Sequence, residues 1–177
     1  MGVYLTQLRR WPEGRVPFVC EDEWALKRIE EFHRTLGKTI FFPRHSNKPD
    51  YVEIAVGDAH ASSHIGMKGG KQLLSYKRNS YYSLFHEMGH CLGLGHEYFH
   101  PNWPHRETLL RGDSLHKLAF EQSFGNYSHF GDFDPYSIMS YSPGAMGIHG
   151  AGAYIEPQKL SAGDCALIKH LYPKALF

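Results

Sequence analysis

The chain has 177 residues, 42% of them hydrophobic and 14% aromatic, and a formal net charge of +1. That is enough apolar mass for a single packed domain, and it argues against a disordered chain. The near-neutral charge gives no reason to expect nucleic acid or an anionic membrane as partner, and no membrane-span-length apolar run, opening signal-peptide pattern or repeat period is legible.

Residues 3–11 alternate loosely in polarity and lead to the turn signal Pro12-Glu13-Gly14. Residues 16–19 then read as a short strand. The stretch 21–36 sets Trp24, Ala25, Ile29, Phe32 and Leu36 at helical spacing, has acidic residues in its first turn and Gly37 just past its end, and so predicts an amphipathic helix. Residues 39–42 are β-prone, 43–49 form a polar loop, and 51–56 alternate as a half-buried strand should. Two further strands are expected at 62–65 and 71–76, then a helix over 81–92 with Leu84, Phe85, Met88, Cys91 and Leu92 toward the core. Beyond it the pattern weakens: loop over 98–104, helix over 107–120, loop over 122–133, and a small-residue flexible stretch over 144–152. Ser161 caps a last helix that runs to about Leu171, Asp164 completes a capping-box-like signal, and Pro173 stops it.

The chemistry is concentrated in His86-Glu87-Met88-Gly89-His90-Cys91-Leu92-Gly93-Leu94-Gly95-His96-Glu97. On a helix, His86 and His90 stand one turn apart on one face and can chelate one zinc ion through ring nitrogens. Glu87 can reach a water on the metal without ligating it. Gly93 can take the left-handed conformation that ends a helix, and that turn could bring His96 back as a third ligand. Three protein nitrogens leave one position to water, the mark of a catalytic rather than a structural zinc site. The other histidines, His64 excepted as a possible cleft residue, lack ligand spacing and read as surface or hydrogen-bonded residues.

The extended motif is that of the metzincin zinc peptidases, and the chain resembles the astacin family within that clan. Glu97 follows the third histidine as in astacins. Ser137-Ile138-Met139-Ser140-Tyr141 is similar to the clan's Met-turn, and 15–19, 50–54 and 160–164 resemble the family's first strand, a later strand and the start of its final helix. The resemblance implies an α+β fold in one catalytic domain, residues 1–177. A twisted mixed five-stranded sheet with two long helices would form the N-terminal lobe (1–93). A small irregular C-terminal lobe (94–177) would end in a helix, with the zinc cleft between the lobes.

The resemblance also implies a zinc-dependent metalloendopeptidase. Zn²⁺ would be held by His86, His90 and His96, with Glu87 as general base and Tyr141 as donor to the tetrahedral oxyanion. Met139 would be an apolar floor beneath the ligands, and Glu97 would meet the amine of Gly2 after loss of Met1. Ser62, Ser63, His64 and Ile65 would form the edge strand along which an extended protein or peptide substrate lies. The enzyme is expected to act as a monomer without nucleic-acid or membrane partners, and the family points to a secreted location. The family's half-cystine positions fall in Lys38-Thr39-Ile40 and Arg78-Asn79-Ser80, which hold no cysteine, and the sequence leaves open whether Cys20 and Cys165 are bridged. Two alternatives are a serralysin-like protease, which a calcium-binding repeat tail would favour, and a zinc-binding protein that cuts nothing. Lys159 and His149 could favour acidic substrate side chains, although a solvated surface role suits each at least as well.

Overall fold

The computed structural model describes residues 2–45, 47–57, 60–111, 117, 121–148 and 154–174. Five strands, β2 (Val16–Cys20), β3 (Phe41–Pro43), β4 (Tyr51–Val56), β5 (Ser62–Ser63) and β6 (Lys71–Tyr76), form one sheet in the order β3-β2-β4-β6-β5. All neighbours are parallel except β5, which runs antiparallel to β6 at the edge. This is the mixed five-stranded sheet that the family resemblance implies.

Two helices cover the sheet. In α1 (Glu23–Leu36), Ala25, Ile29, Phe32 and Leu36 are buried as their spacing requires. The helix starts two residues later than the periodicity suggests because Asp22 caps it, accepting from the backbone N–H of Trp24 at 2.8 Å. Gly37, at φ +69°, ends it. The second helix, α2 (Tyr81–Cys91), is capped by Ser80 Oγ, which accepts from Ser83 N at 3.1 Å. Phe32 and Phe85 meet edge to face at 5.4 Å, joining the two helices inside one core with Val52 and Leu74 of the sheet.

A second sheet is not legible in the sequence. Its strands β1 (Gly2–Leu5), β7 (Leu94–Gly95) and β8 (Tyr127–Phe130) pair antiparallel in the order β7-β1-β8. Residues 2–5 therefore join strands that follow Gly93, across the expected lobe boundary. Strand β8 falls in a stretch expected to be loop, because it is pairing to β1 that makes it extended. The strand expected over 62–65 stops at Ser63, so His64 and Ile65 lie outside it, ahead of a turn in which Gly66 has φ +76°. A short helix α3 (Arg106–Arg111) begins where the sequence predicts one, but most of the remainder of that stretch lies outside the described residues. Two 3₁₀ turns, Glu97–Phe99 and Pro143–Met146, occupy parts of the expected loops. The final helix, α4 (Ala162–Leu171), carries a full capping box between Ser161 and Asp164. All three cysteines are free, and the bridge left open between Cys20 and Cys165 is not formed. Their sulfurs instead face the carbonyls of Asp22 and Thr35, each at 3.7 Å.

Candidate active site

Helix α2 ends at the point the motif requires. Leu92 N–H still bonds Met88 O at 3.1 Å, and Gly93 then turns the chain at φ +101°. A Cβ at Gly93 would also collide with Leu8, so both the backbone angle and the packing demand glycine. The turned chain runs through β7 and delivers His96 to His86 and His90. Nε2 of His96 lies 3.2 Å from Nε2 of His86 and 3.0 Å from Nε2 of His90. Nitrogens around a tetrahedral zinc at about 2.0–2.1 Å would stand about 3.3–3.4 Å apart, so the spacing fits one shared ion.

The opposite nitrogen of each ring has an oxygen partner at 2.9 Å. His86 Nδ1 meets Ile138 O, His90 Nδ1 meets Leu94 O, and His96 Nδ1 meets the Tyr98 hydroxyl. Protons on the Nδ1 atoms of His86 and His90 satisfy the two carbonyls and leave Nε2 lone pairs pointing inward, as metal-binding histidines require. Burial, with the neighbouring His90, pushes His86 down to about 3, and burial pushes His90 down to about 4, so both stay neutral in mildly acidic solution. Burial also holds His96 well below the ordinary imidazole range. These three histidines are the one cluster among the described residues with metal-ligand geometry.

Glu87 stands beside this cluster. It is 5% exposed, and its Oε2 is buried without a hydrogen-bond partner among the described residues. Burial alone raises its carboxyl to about 8. A buried polar atom left unpartnered costs about 1–3 kcal/mol, which makes sense if a bound water or substrate group completes it. The donor set and this orphaned oxygen together fit a zinc ion with a water. Tyr141 packs its ring 4.7 Å from His96 and 5.3 Å from His86, and it is 37% exposed, open to solvent at the site.

The Met-turn ties the ligands together. Ile138 O holds His86 and Met139 O accepts the N–H of Glu97 at 3.1 Å, so this one turn touches both histidine-bearing segments. Met139 is 1% exposed, and a Cβ on Gly89 would come within 2.6 Å of its sulfur. Glu97 is buried, accepts Asp134 N–H at 3.3 Å, and is pushed up to about 8 by that burial. Gly2 lies against it: a Cβ there would stand 2.8 Å from Glu97 Oε1. Ser62 and Ser63 sit in the edge strand, whereas His64 is exposed beyond its end. Lys159 is exposed and lines a cavity beside Tyr141, and His149 lies outside the described residues.

Four contributors are missed by the sequence. Tyr98 falls in an expected loop, yet it partners His96. Asp164 reads only as a helix cap, yet its carboxylate also accepts Ile138 N–H at 2.9 Å and the Ser137 hydroxyl at 2.6 Å. Tyr82 and Tyr154 both donate to Ser140 O at 2.8 Å, fixing the turn just before Tyr141. A tyrosine two residues after a ligand histidine is the one signal that could have been read for Tyr98.

The family model described as Astacin, a peptidase family, matches residues 4–172. Zinc metalloproteinase nas-8 of Steinernema carpocapsae is 31% identical over 160 residues, which cover 81% of this chain and 37% of that protein. Astacin-like metalloprotease toxin 1 of Loxosceles intermedia is 34% identical over 146 residues, covering 74% of this chain and 53% of the toxin. The chain thus spans 37–53% of the length of these curated relatives. Among solved structures, high choriolytic enzyme 1, a hatching enzyme zinc-protease from Oryzias latipes, superposes with a TM-score of 0.64 at 22% identity and covers 94% of each chain. Myroilysin gives 0.62 at 20% identity, covering 99% of this chain and 100% of that one. At these identities the two structures speak for the fold, which is the α+β fold of the metzincins.

Proposed function

Because the chain belongs to the astacin family of peptidases and its cofactor is zinc, we propose that it is a zinc-dependent metalloendopeptidase that cuts protein or peptide chains. The observation that carries this reading is the convergence of three imidazole Nε2 atoms beside a buried, unpartnered carboxylate oxygen.

His86, His90 and His96 hold the ion. Zinc, when bound, supplies the Lewis acidity that makes a water nucleophilic near neutral pH and polarises a carbonyl. Glu87 takes the attacking water's proton at Oε2 and passes it to the departing amine. Burial lifts the Glu87 carboxyl to about 8, and its ionised, basic form would be favoured by a dication held at the three histidines. Tyr141, open to solvent beside His86 and His96, donates its phenol proton in a hydrogen bond to the developing oxyanion.

Gly93 and Met139 act as supports, the first by turning the chain to His96, the second as an apolar floor beneath the histidines. Glu97 is a third support, packed against Gly2 at the start of β1. The substrate lies extended along β5, whose Ser62 and Ser63 pair only with β6 among the described residues, and continues past His64 and Ile65. The catalytic unit is one domain over 1–177 with its cleft between residues 1–93 and 94–177. It acts as a monomer outside the cell, without nucleic-acid or membrane partners. No helix among the described residues is long and apolar enough to cross a membrane.

Incubation with an unstructured protein tests this reading. Cleavage is expected with zinc, lost with a chelator and regained on zinc addition, and Glu87→Ala should lower it by about 10²-fold or more. A zinc-loaded protein that cuts no unstructured chain would be a zinc-binding protein instead.

A further inference from the structure

Six large hydrophobic side chains stand well exposed among the described residues, and the two most exposed, Ile155 at 88% and Tyr136 at 78%, line one cavity together with Tyr141. Apolar side chains scattered singly over a surface need no explanation, but three around one opening do. The cavity holds about 740 Å³, room for the largest natural side chain, and Trp103 and Tyr154 add further aromatic wall. It opens beside the three histidines, because Tyr98 and Tyr141 belong both to its lining and to the surroundings of His96.

We propose that this cavity seats a large apolar side chain of the substrate, aromatic or long aliphatic, from a residue next to the bond that is cut. The proposal rests on the peptidase reading above. An acidic side chain is the competing occupant, since Lys159 lines the same cavity. Lys159 is exposed, however, so its ammonium stays hydrated and a pairing with it is worth little. Glu156 lines the cavity too, so an entering carboxylate would meet another carboxylate and give up water against aromatic rings. An apolar side chain gives up nothing there and also covers Ile155 and Tyr136.

Cleavage of a peptide library by the zinc-loaded protein reads the preference directly. Enrichment of Phe, Tyr, Leu or Met is expected at one position beside the cut, with kcat/KM about tenfold higher for Phe than for Asp there. Ile155→Ser should shrink the Phe-to-Ala ratio at that position several-fold, and Ile155→Lys should raise Asp at that position alone. A wild-type preference for Asp or Glu, or Ile155 variants that leave both ratios unchanged, would overturn the proposal. Tryptophan-fluorescence titration of the zinc-loaded Glu87→Gln variant with the same peptides separates binding from cleavage. Tighter binding of the Phe peptide than of the Asp peptide supports the apolar seat, and equal binding overturns it. A wild type that binds with this preference yet cuts no peptide would count against the peptidase reading and leave the cavity assignment standing.

Discussion

Asp164 and His86 are joined through a single residue. Asp164 Oδ2 accepts the N–H of Ile138 at 2.9 Å, and the carbonyl of Ile138 meets His86 Nδ1 at the same distance. The carboxylate is 1% exposed and also accepts the Ser137 hydroxyl and Ser161 N–H, at 2.6 and 2.9 Å. The start of the last helix therefore fixes the turn that orients a histidine near the middle of the chain. Asp164→Ala strands two buried donors and a half-buried one and should cost about 3–5 kcal/mol in urea unfolding. Zinc should also dissociate faster into a chelator, since His86 loses the anchor of its orienting carbonyl. Unchanged zinc release in a folded variant would show that the turn holds its place without Asp164.

Tyr98 is the corresponding support for His96, with its hydroxyl 2.9 Å from Nδ1 and the two rings stacked at 5.0 Å. Tyr98→Phe keeps the stack and removes the hydroxyl. Losing such a partner behind a metal-binding histidine typically weakens metal affinity by about 10–100-fold. Competition with a zinc-binding dye should show that drop with little change in thermal stability. Tyr141→Phe is the contrast: zinc should remain bound while turnover falls, because its hydroxyl is assigned to the oxyanion rather than to a ligand.

Gly89 lies inside α2, where exchanging glycine for alanine ordinarily gains about 0.5–1 kcal/mol. Here the new methyl would meet the sulfur of Met139 at 2.6 Å, and Met139 is too deeply buried to step aside freely. Overpacking costs about 1–3 kcal/mol, so Gly89→Ala should destabilise on balance. In a Met139→Ala background the same change should become neutral or favourable. A double-mutant cycle without that coupling would rule out the contact as the cause.

Acid should weaken the fold before any carboxylate of ordinary pKa titrates. His33 accepts Phe41 N–H at Nε2, 3.1 Å away, and burial pushes it from 6.5 down to about 4. The unfolded chain therefore takes up this proton first. The stability His33 contributes is complete above pH 6.5 and drains away as pH falls toward 4. In zinc-free protein His86 and His90 act in the same sense, so His33 is isolated by comparison with His33→Gln. Chemical unfolding at a series of pH values should give a shallower decline for the variant over that window. Parallel declines would mean that the acid loss comes from the other histidines.

Where structure depends on the nearest few residues, the sequence reads well. The spacing of His86, His90, Gly93 and His96, the buried stripe of α1 and the cap at Ser161 are all local, and the structure places each as expected. What escapes is what distant pairing creates. Tyr127–Phe130 is extended only because Gly2–Leu5 lies alongside it. Asp164 looks like any cap until the Met-turn folds onto it, and Tyr98 sits in a stretch whose prolines and aromatics carry no period. The five-stranded sheet is legible because β4 and β6 have strong patterns of their own, whereas the shortness of β5 follows from the turn at Gly66, which no alternation announces.

The placement of β1 between β7 and β8 bears on the order in which the protein assembles. His96 follows directly on β7, which is held by a strand from the start of the chain, and that strand is held in turn by one from well beyond the histidine. Such long closures lose much chain freedom before they gain contacts, and they tend to form late. The helical pair of imidazoles can stand early, but the third joins only when remote segments have met. Full grip on the ion is therefore a property of the finished molecule, and a half-assembled chain can offer a metal two imidazoles at most.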